Sequence, residues 1–132
     1  MPQDGLITLS SDYSAHDTME RLLAALAKRS MTVFARIDHA AGAASAGLSL
    51  RPTEVVLFGN PKGGTALMQD RQSAGIDLPL KALVWEDADG KVWLSYNDPA
   101  WIAQRHGLGA ASAGAVEAMG KALGAIATEV TA

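Results

Sequence analysis

A short turn between two apolar segments is the feature that most limits how this chain can fold. Ala88-Asp89-Gly90 separates a segment that ends near residue 87 from the segment 91–96. A three-residue loop with glycine in the left-handed position is typical of a β-hairpin that contains a bulge. The sequence therefore predicts an antiparallel strand pair in which Trp85 lies opposite Trp93.

The predicted register divides the side chains of this hairpin between two faces of a sheet. One face is apolar apart from a tyrosine hydroxyl and carries Leu80, Ala82, Val84, Val92, Leu94 and Tyr96. The opposite face carries Lys81, Leu83, Trp85, Trp93 and Ser95. A two-residue turn would mix the two faces and expose half of the apolar set, so we expect the three-residue turn. The tryptophan face is then a ligand platform or a dimer surface, unless a helix covers it.

The remaining pattern predicts a single α+β domain over residues 1–132. Strands are predicted at 5–10, 32–38 and 53–59 before the hairpin, helices at 15–29, 65–73 and 99–106 and from residue 112 onward, and a short helical turn at 39–47. Four consecutive strands imply a largely antiparallel sheet. Helices before and after these strands imply that the helices pack on one face of the sheet. The element order is β-α-β-β-β-β-α, with short inserted helices.

The charge and cysteine content exclude several classes of partner. The 11 basic and 14 acidic residues give a formal net charge of −3. They form no basic stripe of the kind that neutralises nucleic-acid phosphates or an anionic membrane surface. The chain has no cysteine, which excludes disulfides and thiolate metal sites. Residues 1–5 lack the pattern of a secretory signal, and no segment is apolar enough to span a membrane. We therefore expect a soluble cytoplasmic protein.

Asp38 and His39 are the strongest candidates for acid–base chemistry. A carboxylate beside an imidazole can orient the ring and hold its protonated form. Adjacent residues on a strand point to opposite faces, however, so proximity in sequence does not make a catalytic pair. The alternative, which we favour, is that Asp38 caps the next turn and His39 is solvated.

The segment 59–65, with the sequence GNPKGGT, is the strongest candidate for binding an anion. We expect a flexible turn over residues 62–65 whose glycines expose backbone N–H groups, with Asn60 and the positive charge of Lys62 beside it. The alternative is a turn in which glycine supplies positive φ and no ligand binds. The histidines show no metal-ligand spacing, so no metal ion or cofactor is predicted.

Five stretches of this sequence, in this order, resemble a bacterial and archaeal family, domain-of-unknown-function family 302. The stretches are VFARIDHA at 33–40, LFGNPK at 57–62, DLPLK at 77–81, VWED at 84–87 and YNDP at 96–99. The resemblance covers about residues 10–107. It implies a fold similar to that of the TATA-binding protein, with a curved antiparallel sheet and helices against it, and a tendency to form homodimers. It does not supply an activity, and similarity to this fold does not imply DNA binding.

Together these features favour a homodimeric module that binds a small anionic or amphipathic ligand without catalysis. The candidate ligand-binding residues are Asp38, His39, Asn60, Lys62, Lys81 and Trp85. One alternative is an enzyme that uses Asp38 and His39 with a lysine as acid–base groups. The other is a structural protein-interaction module in which dimerisation buries the tryptophan face.

Overall fold

The computed structural model describes residues 4–132. In this part of the chain the strands are β1 (Leu6–Ser11), β2 (Thr32–Asp38), β3 (Thr53–Gly59), β4 (Leu80–Glu86) and β5 (Val92–Asn97). The helices are α1 (Ala15–Lys28), α2 (His39–Ser45), α3 (Pro61–Asp70), a 3₁₀ helix (Gln72–Asp77), α4 (Pro99–His106) and α5 (Ala113–Thr131). Residues 1–3 lie outside the described residues, and with them most of the segment in which no secretory signal is predicted.

The strands form one antiparallel sheet in the order β1-β5-β4-β3-β2. Strands β2, β3 and β4 each pair with the next strand along the chain, and β1 pairs with β5. The edges of the sheet are therefore β1 and β2. This arrangement confirms the predicted α+β class and the antiparallel sheet.

The hairpin of β4 and β5 has the predicted register. Trp85 pairs with Trp93, and their ring centroids lie 6.1 Å apart. The Asp87 backbone N–H donates to the Lys91 carbonyl oxygen at 2.8 Å. Gly90 has a φ of 79°, a left-handed conformation that glycine adopts without steric cost. The turn residues therefore determine how these two strands pair.

The core lies between one face of the sheet and helices α1 and α5. All the side chains predicted for the apolar face of the hairpin are buried, and β3 adds Val56 and Phe58. The two helices contribute side chains at helical spacing, namely Met19, Leu22 and Leu26 from α1 and Leu123, Ile126 and Val130 from α5. This spacing places each set on one side of its helix. The helices therefore pack on one face of the sheet, as predicted.

Polar contacts hold α1 against the C-terminal end of α5. Arg21 donates through Nε to the Val130 carbonyl oxygen at 2.9 Å, and Lys28 pairs with Glu129 at 2.8 Å. Cations near a helix C-terminus satisfy carbonyl groups that have no partner within the helix. Between residues 4 and 132, no helix has the length and apolar character needed to cross a bilayer.

The prediction of a flexible turn over residues 62–65 was wrong, because α3 already begins at Pro61. The Asn60 side chain caps this helix by accepting the backbone N–H two residues later at 3.0 Å. Proline at the first helical position supplies a suitable φ. A Cβ at Gly63 would lie 3.0 Å from the Met119 methyl carbon, so glycine there allows α3 to approach α5 closely.

Candidate functional site

The six predicted ligand-binding residues fall into two groups at opposite ends of the sheet. Asp38 pairs with Glu54 near the start of β3, whereas Asn60 follows the last residue of β3. Six residues of extended strand correspond to about 20 Å. The group at the start of β3 contains Asp38, His39 and Trp85, and the group at its end contains Asn60, Lys62 and Lys81. The fold therefore does not bring the six residues into one site.

Asp38 and His39 form the start of a helix. The Asp38 carboxylate accepts the Ala41 backbone N–H at 2.9 Å and so caps α2. His39 is the first residue of α2 and is exposed. Within residues 4–132, neither side chain forms an ion pair with a lysine. This is the arrangement expected when Asp38 caps the turn that follows β2.

Lys81 and Trp85 share one face of the sheet, as the alternation predicts, but their polar groups are already paired. The Lys81 ammonium group donates to the carbonyl oxygens of Pro79 at 3.2 Å and Asp77 at 3.3 Å. The Trp85 indole N–H donates to the Ser95 hydroxyl oxygen at 3.0 Å. Both side chains therefore hold the sheet and the loop before β4 in place.

The sheet face that carries Trp85 is apolar and partly accessible, and we call it the open face. Ile37 on the edge strand is 44% exposed. The neighbouring strands present half-buried side chains, namely Val55, Leu57, Leu83, Trp85 and Trp93. Contiguous apolar surface of this kind marks a place where a partner can pack.

A cavity of about 290 Å³ lies where β3 ends and α3 begins, and we call it the β3–α3 cavity. Its walls are mostly apolar and include Phe34, Phe58, Met68, Leu78, Leu80 and Met119. Two polar residues from the first turns of α3, Asn60 and Thr65, also line it. Methionine side chains are flexible and polarisable, so two walls of this cavity can adapt to an occupant.

Phe34 reaches this cavity through an irregularity in β2. The pairing of β2 with β3 shifts between Val33 and Ala35, which leaves Phe34 as the extra residue of a bulge. Bulges redirect side chains near binding sites. A Cβ at Gly59 would lie 3.9 Å from the Phe34 ring, so the ring packs over the glycine backbone. Strict alternation along β2 contains no signal for this bulge, so the sequence does not indicate that Phe34 belongs to a site.

The far end of α3 is tied to the loop before α5. One Asp70 carboxylate oxygen accepts from the Ser112 hydroxyl at 2.7 Å and from the Gly109 backbone N–H at 2.9 Å. These two hydrogen bonds hold the pKa of Asp70 below its ordinary value. Ser112 immediately precedes α5, but its hydroxyl binds Asp70 and does not cap the helix. This contact fixes α3 relative to α5 and so helps set the width of the β3–α3 cavity.

A second cluster of polar side chains links the 3₁₀ helix to α4. His106 Nε2 lies 2.6 Å from Asp77 Oδ2, and His106 Nδ1 lies 2.9 Å from Ser73 Oγ. Arg105 donates to both Asp77 oxygens, at 2.9 and 3.0 Å. Asp77 and His106 are 29 residues apart in sequence, so only the fold reveals that they meet. In the described part of the chain, no group of three or more histidines and carboxylates is placed to hold a metal ion.

Comparison with known proteins assigns this architecture to a family. The sequence profile described as Domain of unknown function DUF302 matches residues 7–126. The chain belongs to the DUF302 family. Its structure is similar to the crystal structure of uncharacterized conserved protein DUF302 from Bacillus stearothermophilus, with a TM-score of 0.84 over 96% of this chain and 98% of that chain. The sequence identity is 18%, so this likeness establishes the DUF302 fold alone.

Curated relatives of this DUF302 chain are named as fluoride channels. A region of "Fluoride-specific ion channel FluC 1" from Brucella suis biovar 1 is 56% identical over 115 residues, which is 87% of this chain and 45% of that protein. The protein of the same name from Brucella abortus biovar 1 is also 56% identical over 115 residues, or 43% of its length. The chain therefore spans less than half the length of the curated relatives it matches.

Proposed function

We propose that this DUF302 domain is a cytoplasmic, homodimeric module whose β3–α3 cavity binds a small amphipathic molecule and catalyses no reaction of that molecule. The observation that carries the proposal is a cavity with walls of Phe34, Phe58, Met68 and Met119 that opens beside the start of a helix. Ligand sites combine apolar walls with a few placed polar groups in this way.

The size of the cavity limits the class of ligand. At about 290 Å³ it lies at the lower end of the about 300–1,000 Å³ typical of small-molecule sites. Such a space accommodates a short acyl chain or a single aromatic ring. The half-exposed Phe34 ring leaves room for a polar end to remain in water.

The start of α3 favours a negative charge at that polar end. Backbone N–H groups at a helix N-terminus carry partial positive charge, and Lys62 is exposed in the first turn of α3. The ammonium group of Lys81, in contrast, is occupied by backbone carbonyl oxygens. We therefore assign the anion-binding role to Lys62 and to the side-chain NH₂ group of Asn60, whose side-chain oxygen caps α3.

Thermal unfolding with two matched probes tests this proposal. Octanoate and octylamine share an apolar chain and differ in the sign of their charge, so octanoate is expected to raise the melting temperature more. A ligand at a hundredfold excess over its Kd stabilises the folded state by about 2.7 kcal/mol. If neither octanoate nor a one-ring carboxylate such as benzoate raises the melting temperature, the proposal fails.

A pair of glycine variants locates the binding. A Cβ at Gly64 would lie 3.9 Å from a Leu78 methyl carbon of the cavity wall, so Gly64→Leu fills the cavity without an initial clash. Gly114 in α5 has no atom within 4 Å of such a Cβ, so Gly114→Leu is the matched control. Gly64→Leu is expected to abolish the octanoate shift, and Gly114→Leu is expected to retain it.

The open face supports the homodimeric part of the proposal. The side chains of Ile37, Leu83 and Trp85 form an apolar strip. This strip can pack against the same strip of a second copy of the chain about a two-fold axis. Sedimentation analysis at micromolar concentration is expected to give a dimer that Leu83→Glu converts to a monomer. Leu48→Glu is the control, because Leu48 is exposed in the loop between α2 and β3. A monomeric wild-type protein would contradict this part of the proposal.

A second proposal concerns the setting in which the domain works. The Brucella chains that contain a region 56% identical to this one are named fluoride-specific ion channels. Two units joined in one chain act on each other at high effective concentration. We therefore propose that this domain serves as an accessory unit of a fluoride channel.

Deletion of the matching region from the Brucella suis chain tests this second proposal. We expect the shortened chain, produced in the same amount, to give its host lower fluoride tolerance than the full chain. The control replaces the region with a flexible linker of equal length. Unchanged fluoride tolerance in both variants would show that the region does not contribute to fluoride handling.

A further inference from the structure

We propose that Ser73 is a nucleophile activated by His106, which gives this domain an acyl-transfer activity toward small activated esters. The proposal does not depend on the β3–α3 cavity or on dimerisation. It rests on the cluster that joins the 3₁₀ helix to α4. In this cluster a serine hydroxyl, an imidazole and a carboxylate form one continuous chain of hydrogen bonds.

The hydrogen bonds define the role of each ring nitrogen. The Asp77 carboxylate can only accept, so the neutral His106 ring places its proton on Nε2, 2.6 Å from Asp77 Oδ2. His106 Nδ1 is then an acceptor for the Ser73 hydroxyl, 2.9 Å away. Serine, histidine and aspartate have the same roles in hydrolases of unrelated folds, where the geometry and not the order in the chain identifies them. Here the two ring nitrogens exchange positions relative to serine and aspartate.

The surroundings shield the base and leave the nucleophile accessible. The side chains of His106 and Asp77 are 7% and 15% exposed, whereas Ser73 is exposed. Arg105 holds both Asp77 oxygens, so the carboxylate keeps the orientation that the imidazole needs. Asp77 is therefore a positioning residue, and Ser73 and His106 would carry the reaction.

The reaction begins when Ser73 Oγ attacks the carbonyl carbon of the ester and its proton moves to His106 Nδ1. The carbon–oxygen bond to the alcohol breaks, and the alcohol takes the proton from His106 as it leaves. Water then attacks the acyl-serine, gives one proton to His106 and releases the carboxylic acid. Ser73 regains the proton, so the sum is ester plus water giving acid plus alcohol.

The exposed position of Ser73 restricts the substrate to a small acyl group with a good leaving group. General base assistance accelerates such a step by about 10²–10⁴-fold. The probes are therefore a fluorophosphonate, which labels activated serine hydroxyls covalently, and p-nitrophenyl acetate, whose turnover is followed by absorbance. Labelled sites are located by mass spectrometry of peptides from the full chain.

The expected result is a fluorophosphonate adduct on Ser73 that forms at least tenfold faster than any adduct on Ser49. Ser49 is an exposed loop serine of the same chain, so it is an internal reference for ordinary hydroxyl reactivity. Ser73→Ala is expected to leave only the slow Ser49 adduct and to abolish p-nitrophenyl acetate turnover, and Ser49→Ala is expected to leave the Ser73 adduct and the turnover unchanged.

Asp77→Asn tests whether Asp77 positions His106 for the reaction or only stabilises the fold. Asparagine keeps the shape of the side chain but can no longer fix the ring proton on Nε2, so the Ser73-to-Ser49 labelling ratio should fall at least tenfold. Circular dichroism verifies that the variant is folded, and a loss of packing alone would not change the ratio. Equal labelling of Ser73 and Ser49 in the wild-type protein, or an adduct on His106 in place of Ser73, would overturn the proposal.

Discussion

The two faces of the sheet have similar side chains and very different surroundings. Leu94 of β5 points to the face covered by α1 and α5 and is 1% exposed. Leu83 of β4 points to the open face and is half-buried. Both leucines lie in the hairpin whose register the turn residues determine.

Alternation in the sequence assigns side chains to the two faces of the sheet, but it does not show which face the helices cover. A period of two separates the two sets, and here both sets are largely apolar. Helices α1 and α5 bring their own apolar sides to only one of them. The other face keeps its apolar surface available for a partner. Of the four predictions below, the first and the last test whether this difference persists in solution.

The largest expected effect comes from a matched pair of leucine truncations. Leu94→Ala is expected to cost about 2–5 kcal/mol of unfolding free energy, because it leaves a cavity in the core. In the monomer, Leu83→Ala is expected to cost about 1 kcal/mol, since its side chain is only partly removed from water. Urea denaturation at a protein concentration low enough to dissociate the proposed dimer measures both values. Equal losses there would show that the open face is covered in the monomer as well.

A smaller effect is expected from the hydrogen bonds on the open face. Ser95 is buried and accepts from the Trp85 indole N–H, and its hydroxyl also lies 2.9 Å from the Thr8 hydroxyl. Trp85→Phe removes one donor and is expected to cost about 1 kcal/mol. The same substitution should cost less in a Ser95→Ala background. An equal cost in both backgrounds would mean that the indole hydrogen bond contributes nothing.

The carboxylate at the hairpin turn should make stability depend on pH. The Trp93 indole N–H donates to Asp87 at 2.9 Å, and this bond, with the backbone N–H groups of Lys91 and Asp89, lowers the pKa of Asp87. A lowered folded-state pKa stabilises the fold above the ordinary value of 3.8, and the stabilisation disappears as the pH falls through the folded-state value.

Asp87→Asn measures that contribution. The urea midpoint of the variant should lie slightly below that of the wild-type protein at pH 7, and the difference should shrink toward pH 3. Asp89→Asn in the same turn controls for the change in net charge. A midpoint difference that is the same at both pH values would exclude a contribution from the Asp87 charge.

The smallest effect is expected at the edge of the open face. Ile37 is 44% exposed, so in the monomer Ile37→Thr should change the unfolding free energy by no more than about 0.5 kcal/mol. Urea denaturation at a low and a high protein concentration measures this change. The loss is expected to grow with protein concentration, because the proposed dimer covers Ile37. A loss that is the same at both concentrations would contradict a dimer through this face.

The predictable parts of the fold are those with local signals. Asn60 and Pro61 are strong signals for a helix start, yet α3 was predicted to begin later, because glycines are weak helix formers. The close approach of Gly63 to Met119 shows why glycine is tolerated at this position. The sequence favours a capping role for Asp38, because capping depends only on neighbouring residues.

The candidate sites were harder to predict because they depend on distant residues. Phe34 enters the cavity through a bulge, and its neighbours in sequence contain no sign of it. Ser73, Asp77 and His106 come together only when α4 packs against the 3₁₀ helix. None of these residues belongs to a local sequence pattern that indicates a functional site.

By itself the sequence determined the class of the fold, the pairing of β4 with β5 and the division of side chains between two faces, because turn residues and alternation act over a few positions. The tertiary structure alone decided that α1 and α5 cover the face of Leu94 and leave that of Leu83 open. It also placed His106 between Ser73 and Asp77. These outcomes depend on how whole helices and strands pack. Because both faces of the sheet are apolar, the local sequence cannot specify which face the helices cover.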